Sequence, residues 1–445
     1  MANRVGDSGR RVTRRTTFLS PVLNVVVWST PSRGGLFQRP TDASLPELFQ
    51  PTWDAMRPCR RSPLNQQRQR RGSVLIFTLF IIVVFLGMLA LAIDLGYLMI
   101  TRTEAQRTAD AAAMAAAWEL IHPGSLFGAP EYGAIANARN RATEYGQYNP
   151  LASRATTIDP NFGNYLSGDV VMGTLPTLTS TNMSFGDPSS YNAVTVRARR
   201  TASRHQEIAL FFAPILGIRT AGMEAEATAA LLRNIGGFRL EGPDAKNLDI
   251  LPFALDEETW EDLLARRTSD QWSWDPDTET IRSGGDGIYE VNLYPQGTGS
   301  PGNRGTVDIG SNNNSTNDIA RQILHGVSHS DLEYHGGKLE FDQYGKLMLN
   351  GDTGISAGVK DELASIRGKP RIIPIFRKVE GPGNNAMYTI VKFVGVRIMD
   401  VKLTGSMNTK RVIVQPAIVL THGALPAPPG EQKSHYVYTR PILVK

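Results

Sequence analysis

Val74 to Ile93 is a run of 20 residues without a single charge, preceded by Arg68, Arg70 and Arg71 and closed by Asp94. No other feature restricts the fold of this chain as much. At about 1.5 Å rise per residue, a helix of that length spans the roughly 30 Å hydrocarbon core of a bilayer. The chain is expected to sit in a membrane as a single span.

Charge sets the expected orientation. Residues 1–71 hold 13 of the 47 Lys and Arg, all of them arginine, against 4 of the 42 Asp and Glu, a net of +9. The remainder is mildly acidic at −4. Basic flanks stay on the cytoplasmic side of a membrane, so the C-terminal part is expected outside. The overall +5 comes from the arginine-rich head and is not a nucleic-acid signal. The lone cysteine, Cys59, precedes the span. The ectodomain, at about 320 residues, must therefore hold itself together by core burial, without disulfides or thiolate metal sites.

Four segments emerge. Residues 1–71 read as a disordered basic cytoplasmic head, with translation from Met56 as an alternative start because nothing in the first 55 residues serves the helix. Residues 72–121 form the transmembrane and extended Ala-rich helix, 122–233 a first extracytoplasmic unit, and 234–445 a β-rich C-terminal domain. Three fates are open to the apolar run: a signal peptide cut after Ala90-Leu91-Ala92, a prepilin-like leader cut after Gly72, or an uncut anchor. The run is longer than a secretory signal and flows into more helix, which favours the anchor.

Past Asp94 no proline intervenes until Pro123, and alanine is the best helix former. One helix is expected to continue to about Leu120, with Tyr97 placed as an interfacial aromatic. Ala105, Ala109, Ala113 and Ala117 recur every four residues, continued upstream by Ala92 and Gly96. Such a ridge of small side chains admits a close neighbour, either the protein's own ectodomain or a second chain. Asp94 stands where water begins and reads as the boundary of the span rather than as a proton or ion site.

These residues carry a resemblance. Arg-Arg-Gly before the span, Ala-Ile-Asp-Leu-Gly-Tyr-Leu at its end and Thr-Glu-Ala-Gln-Arg-Thr-Ala-Asp-Ala-Ala-Ala beyond it resemble the N-terminal module of TadE/TadG-like Flp pilus-assembly proteins. The pattern falls on Gly72, Asp94, Gly96, Gln106, Ala109, Asp110 and Ala113. A strand at Asn192–Ala198, a short apolar helix at Ile208–Ile218 and a returning strand at Gly222–Ala230, whose composition suits a helix equally well, are similar to the same family's first periplasmic unit. Two departures stand out. A pilin-type leader is followed by glutamate five residues after the cut, where this chain has Phe77. The metal-binding Asp-x-Ser-x-Ser of a von Willebrand factor A domain, present in some TadG-like proteins, has only a poor match at Asp400–Met407.

The rest of the ectodomain reads as α+β. A helix is expected over Ala134–Tyr145, and others at Asp318–Gly326 behind the capping-rich Ser311–Asn317 and at Ala357–Ile366 behind a turn at Asn350–Gly354. Strands are expected at Arg304–Gly310, Arg371–Lys378, Met387–Thr404, Arg411–Leu420 and Tyr436–Val444, with a hairpin loop at Gly381–Asn385. Trp260, Trp272 and Trp274 read as core before sugar or partner contacts.

Chemistry is sparse. His325, His329 and His335, with Asp331 and Glu333 near, offer the best metal lead, but His-Gly-Val-Ser-His lacks the glutamate that a zincin uses as base. Asp352, or Asp308 with Asn312–Asn314, lacks the ligand order of a calcium loop. No nucleophile elbow, phosphate loop or dinucleotide fingerprint is present.

The sequence therefore points to a non-enzymatic single-pass membrane protein without cofactor, metal or small-molecule substrate. Its resemblance implies a role in assembling or anchoring a Flp-type pilus or related secretion apparatus, with membrane lipid and envelope proteins as partners and no nucleic acid. A membrane-tethered adhesin is the alternative reading, and a metal-dependent hydrolase a more distant one.

Overall fold

The computed structural model describes residues 71–121, 131–294, 304–311, 315–352, 355–381, 386–428 and 430–444. The basic head with Met56 and Cys59, Asn312–Asn314 and most of Gly381–Asn385 lie outside the described residues.

Helix α1 runs from Arg71 to Glu119, 49 residues without a break, or about 73 Å. Its first half is bare: Phe80 is 66 % exposed and none of the most apolar 18-residue window is buried. Among the described residues this is the one helix long and apolar enough to cross a membrane. Its second half is covered, with Ala105, Ala109, Ala112, Ala113, Ala116 and Ala117 fully buried. The helix closes through tight bonds from Leu120 and Ile121 to the Ala117 and Trp118 carbonyls.

What covers it is a helix and a sheet. Helix α2 (Glu131–Tyr148) is followed by β1 (Val170–Gly173), β2 (Ala193–Arg200), β3 (Ile208–Ala209), β4 (Thr220–Ala221) and β5 (Met223–Ala230). Strands β1, β2 and β5 pair antiparallel in that order, and the C-terminal strand Ile442–Leu443 adds to the far edge of β5. Alanine is a poor strand former, yet β5 is rich in it. The reason is packing: Ala225, Ala227 and Ala229 present methyl groups to the alanines of α1, so backbone approaches backbone. The two expected strands around Ile208–Ile218 are β2 and β5, but the expected helix between them is not. That stretch is instead the short ladder β3–β4 closed by one 3₁₀ turn, Ala213–Leu216. Pro214 and left-handed Gly217, at φ 88°, bracket a turn too short to continue.

Beyond residue 234 the chain builds a larger sheet. Its order is Val291–Asn292, Arg411–Pro416, Ala386–Lys402, Leu347–Asp352, Arg304–Val307, Phe253–Asp256, Pro370–Glu380. The last strand also pairs antiparallel with Ala386–Lys402, which closes five strands into a ring. Closure removes exposed edges. Apolar clusters pack on both faces, one around Phe253, Trp260 and Val394, the other around Phe238, Phe376 and Phe393. Ala386–Lys402 is therefore buried almost throughout instead of alternating. The expectation of an α+β chain with a long N-terminal helix and a mainly β remainder holds.

Details differ from the sequence reading. Asn350 and Gly351 lie inside a strand, not in a turn; a side chain at Gly351 would collide with the Thr306 carbonyl oxygen across the ladder. The Tyr436–Val444 strand is two pieces: Val437–Thr439 pairs with Val419–Thr421, and Ile442–Leu443 leaves for the α1-side sheet. Trp260 is core, as expected, while Trp272 and Trp274 are half-buried on a separate hairpin.

Candidate functional site

The best-built constellation lies where α1 leaves its apolar run. The Asp94 carboxylate accepts the backbone N–H groups of Phe211, Phe212 and Ala213 at 2.9, 3.0 and 2.6 Å. These amides open the 3₁₀ turn, whose own N-terminal residue Phe212 offers no side-chain cap. An anion at the positive end of a turn satisfies its orphan donors. Here the anion comes from another element, 117 to 119 residues away in sequence. Asp94 is 4 % exposed as a result. Tyr97, one helical turn on, stands edge-to-face on Phe211 with ring centroids 5.0 Å apart.

Further along α1, Gln106 Nε2 donates to Asp110 Oδ1 at 2.8 Å and to the Glu226 carbonyl of β5 at 3.2 Å. Glu104 accepts the Ala152 N–H at 2.9 Å, and the Thr108 hydroxyl contacts the Asn149 carbonyl oxygen at 3.2 Å. Ala109 and Ala113 lie buried between these polar ties. The alanine ridge thus meets the protein's own sheet. Its upstream continuation does not: Ala92 is exposed, and a Cβ on Gly96 would meet nothing within 4 Å. Gly72 lies in the first turn of α1.

Sequence reasoning missed Arg139. It is buried in α2 and donates to the carbonyls of Pro160, Asn161 and Val170 and to Asn164 Oδ1. It pins the long loop ahead of β1, where Asn161 and Asn164 adopt positive φ. An arginine among Ala and Asn on a helix was the only available signal. The capping role of Asp94 was missed as well, because its partners are backbone amides and leave no residue signature.

The histidines do not converge. His325 ends one helix at Gly326 and His329 begins the next, so they do not share a helical face. Asp331 is held by Arg321 at 2.6 and 3.0 Å, and His335 Nε2 faces the Gly310 N–H. Asp400 pairs with Arg411 in the sheet. Among the described residues no group of three or more His, Cys, Asp or Glu could hold a metal ion.

Two family models match the region built around this junction. Residues 72–119 match the Flp pilus-assembly TadE/G-like model, and residues 98–229 match the Tad-like Flp pilus-assembly model. The resemblance read from the sequence therefore holds from Gly72 to Ala229, across α1, α2 and the sheet on which they pack. No curated protein and no solved structure matches the chain.

Proposed function

We propose that this chain, similar over residues 72–229 to TadE/G-like Flp pilus-assembly proteins, is an uncut, single-pass anchor of the inner membrane. It carries a non-catalytic ectodomain in the periplasm that supports assembly or anchoring of a Flp-type pilus. One observation carries the reading most: α1 passes from a bare apolar half directly into a half buried by the ectodomain, with Asp94 clamped at the change. A helix continuous through that point transmits the position of the span rigidly to the domain. In this reading Asp94, Gln106, Ala109, Asp110 and Ala113 make the rigid joint, while Gly72 opens α1 and Gly96 leaves room beside the joint for a lipid or envelope-protein neighbour.

The test is complementation. Removing the gene from its host should reduce or abolish Flp-type pili, and the full chain should restore them. A version whose residues 72–93 are exchanged for a cleavable signal should fail to do so. Pili restored by that released ectodomain would remove anchoring from the role. Protease added to cells with a permeabilised outer envelope should digest residues beyond Asp94 and spare the arginine-rich head; the reverse pattern would invert the topology.

A further inference from the structure

We propose that the loop Leu210–Ile218 is a second membrane contact, an apolar wedge that enters the leaflet on the ectodomain side beside α1, with lipid acyl chains as its occupant. The inference rests on the membrane-anchored reading of α1 and adds a separate element to it.

The loop exposes what a water-facing loop of this size does not. Phe211, Phe212, Ile215, Leu216 and Ile218 are all exposed, Ile215 to 83 % and Leu216 to 76 %. Contiguous apolar side chains of this kind mark contact with a partner or a membrane.

Its height selects the membrane. Gln106 of α1 touches Glu226 of β5, whereas Asp94 touches Phe211–Ala213. Twelve residues of helix separate those two levels, about 18 Å. The β2–β5 hairpin therefore descends along α1 toward the apolar run, and its tip arrives at the residue where that run ends. There Ile93 and Leu95, which flank Asp94 on α1, are exposed as well.

The backbone is also prepared for a water-poor setting. The Leu210 N–H bonds to the Arg219 carbonyl, those of Phe211, Phe212 and Ala213 to Asp94, and Pro214 has none. The Ile215, Gly217 and Ile218 N–H groups bond to the Phe212, Pro214 and Ala213 carbonyls. A loop in water can leave such groups to solvent; at the edge of hydrocarbon each unsatisfied one is costly. Asp94 satisfies three of them with one carboxylate, itself shielded from lipid by the loop. Exposed Arg219 follows the wedge at the level of lipid phosphates, and Tyr97 packs on Phe211 as an interfacial aromatic. Side chains reaching roughly 5–10 Å into the headgroup–acyl boundary suffice for such an anchor. Two attachments, helix and wedge, would stop the ectodomain from swivelling about α1.

The full chain in the Cys59→Ala background provides the test, reconstituted in phosphatidylethanolamine/phosphatidylglycerol nanodiscs. An environment-sensitive fluorophore is attached through Ile215→Cys, with Val83→Cys in the span and Tyr344→Cys on the far domain as references. The expected result is strong quenching at position 215 by a nitroxide placed near the head of the lipid acyl chain, with aqueous iodide several-fold less effective than at position 344. Adding Leu216→Asp should shift position 215 toward iodide and leave position 83 unchanged. Iodide quenching at 215 equal to that at 344 overturns the proposal. So does protection from both quenchers together with 215–215 crosslinking, which would make the loop a contact between copies. Absence of lipid quenching at position 83 sinks the anchor reading and the wedge with it, whereas quenching at 83 but not at 215 sinks the wedge alone.

Discussion

The Asp94 carboxylate and the Ala213 N–H meet at 2.6 Å, although 119 residues separate them. Phe211 and Phe212 donate to the same carboxylate. The contact fixes the loop at the tip of the β2–β5 hairpin to the helix at the point where the apolar run ends.

Asp94→Ala should free the loop without unfolding the sheet. Three N–H groups lose their acceptor, and an unsatisfied buried group costs about 1–3 kcal/mol. Hydrogen exchange at the Phe211–Ala213 amides should accelerate by about tenfold for each 1.4 kcal/mol lost, with β2 and β5 amides little changed. Asp94→Asn should fall between, since one amide oxygen accepts but its NH₂ cannot. Unchanged exchange in the alanine variant would mean that the carboxylate holds nothing.

The alanine ridge should tolerate no enlargement. Ala109 and Ala113 are fully buried between α1 and its own sheet, so Ala109→Leu or Ala113→Leu should destabilise by roughly 1–3 kcal/mol or more through overpacking. Gly96→Ala meets empty space and should stabilise the helix by up to about 1 kcal/mol. Thermal unfolding of the three variants in one detergent gives the comparison. Equal effects at 96 and 109 would contradict the packing.

Gly351→Ala should damage the ring. The added methyl would run into the Thr306 carbonyl oxygen and crowd the Tyr388 ring. A loss of about 1–3 kcal/mol is expected, read as faster exchange across Arg304–Val307 and Leu347–Asp352. A variant as stable as the parent would show that the ladder has slack there.

Buried Glu290 and half-buried His435 should tilt stability against pH in opposite directions. Burial, reinforced by Lys392, lowers His435 from 6.5 to about 4, and its Nδ1 accepts the Trp260 indole N–H at 3.0 Å. Its contribution is complete above pH 6.5 and is lost as pH falls toward 4. Burial raises Glu290 from 4.5 to about 7, despite its bonds from the Gln271 and Trp272 N–H groups. Its carboxylate therefore destabilises the fold progressively as pH rises from 4.5 to 7. Each effect is worth roughly 3 kcal/mol over its window, and where the windows overlap they offset. His435→Asn should leave stability falling as pH rises through this range; Glu290→Gln should leave it rising. Denaturant midpoints at several pH values report the slopes. Parallel profiles for both variants would refute the assignment.

The long apolar helix and its Ala-rich extension were legible because a 20-residue uncharged run followed by alanine at helical spacing has few other solutions. The strand β2 and the long pair Pro370–Glu380 and Ala386–Lys402 were legible from β-branched or alternating residues, whereas the composition of β5 suits a helix equally well and only the family resemblance pointed to a strand. What escaped the sequence depended on distant partners. Ile208–Ile218 has the composition of a short helix, but Pro214 and left-handed Gly217 limit it to one turn, and the Asp94 clamp from a distant element favours the looped form. Gly351 signals a turn in isolation, yet serves a close approach between strands. His325 and His329 stand four apart, but Gly326 at φ 77° ends the first helix between them. Ile442–Leu443 joins a sheet more than 200 residues back in the chain, a pairing no local pattern encodes.

The most direct test of the anchored account is mass spectrometry of the protein taken from its native membrane fraction. The account predicts peptides in which the Gly72–Ser73 and Ala92–Ile93 bonds are intact. A chain beginning at Ser73 would make it a processed, pilin-like subunit, and one beginning at Ile93 would leave a secreted domain with no anchor; either result contradicts the account.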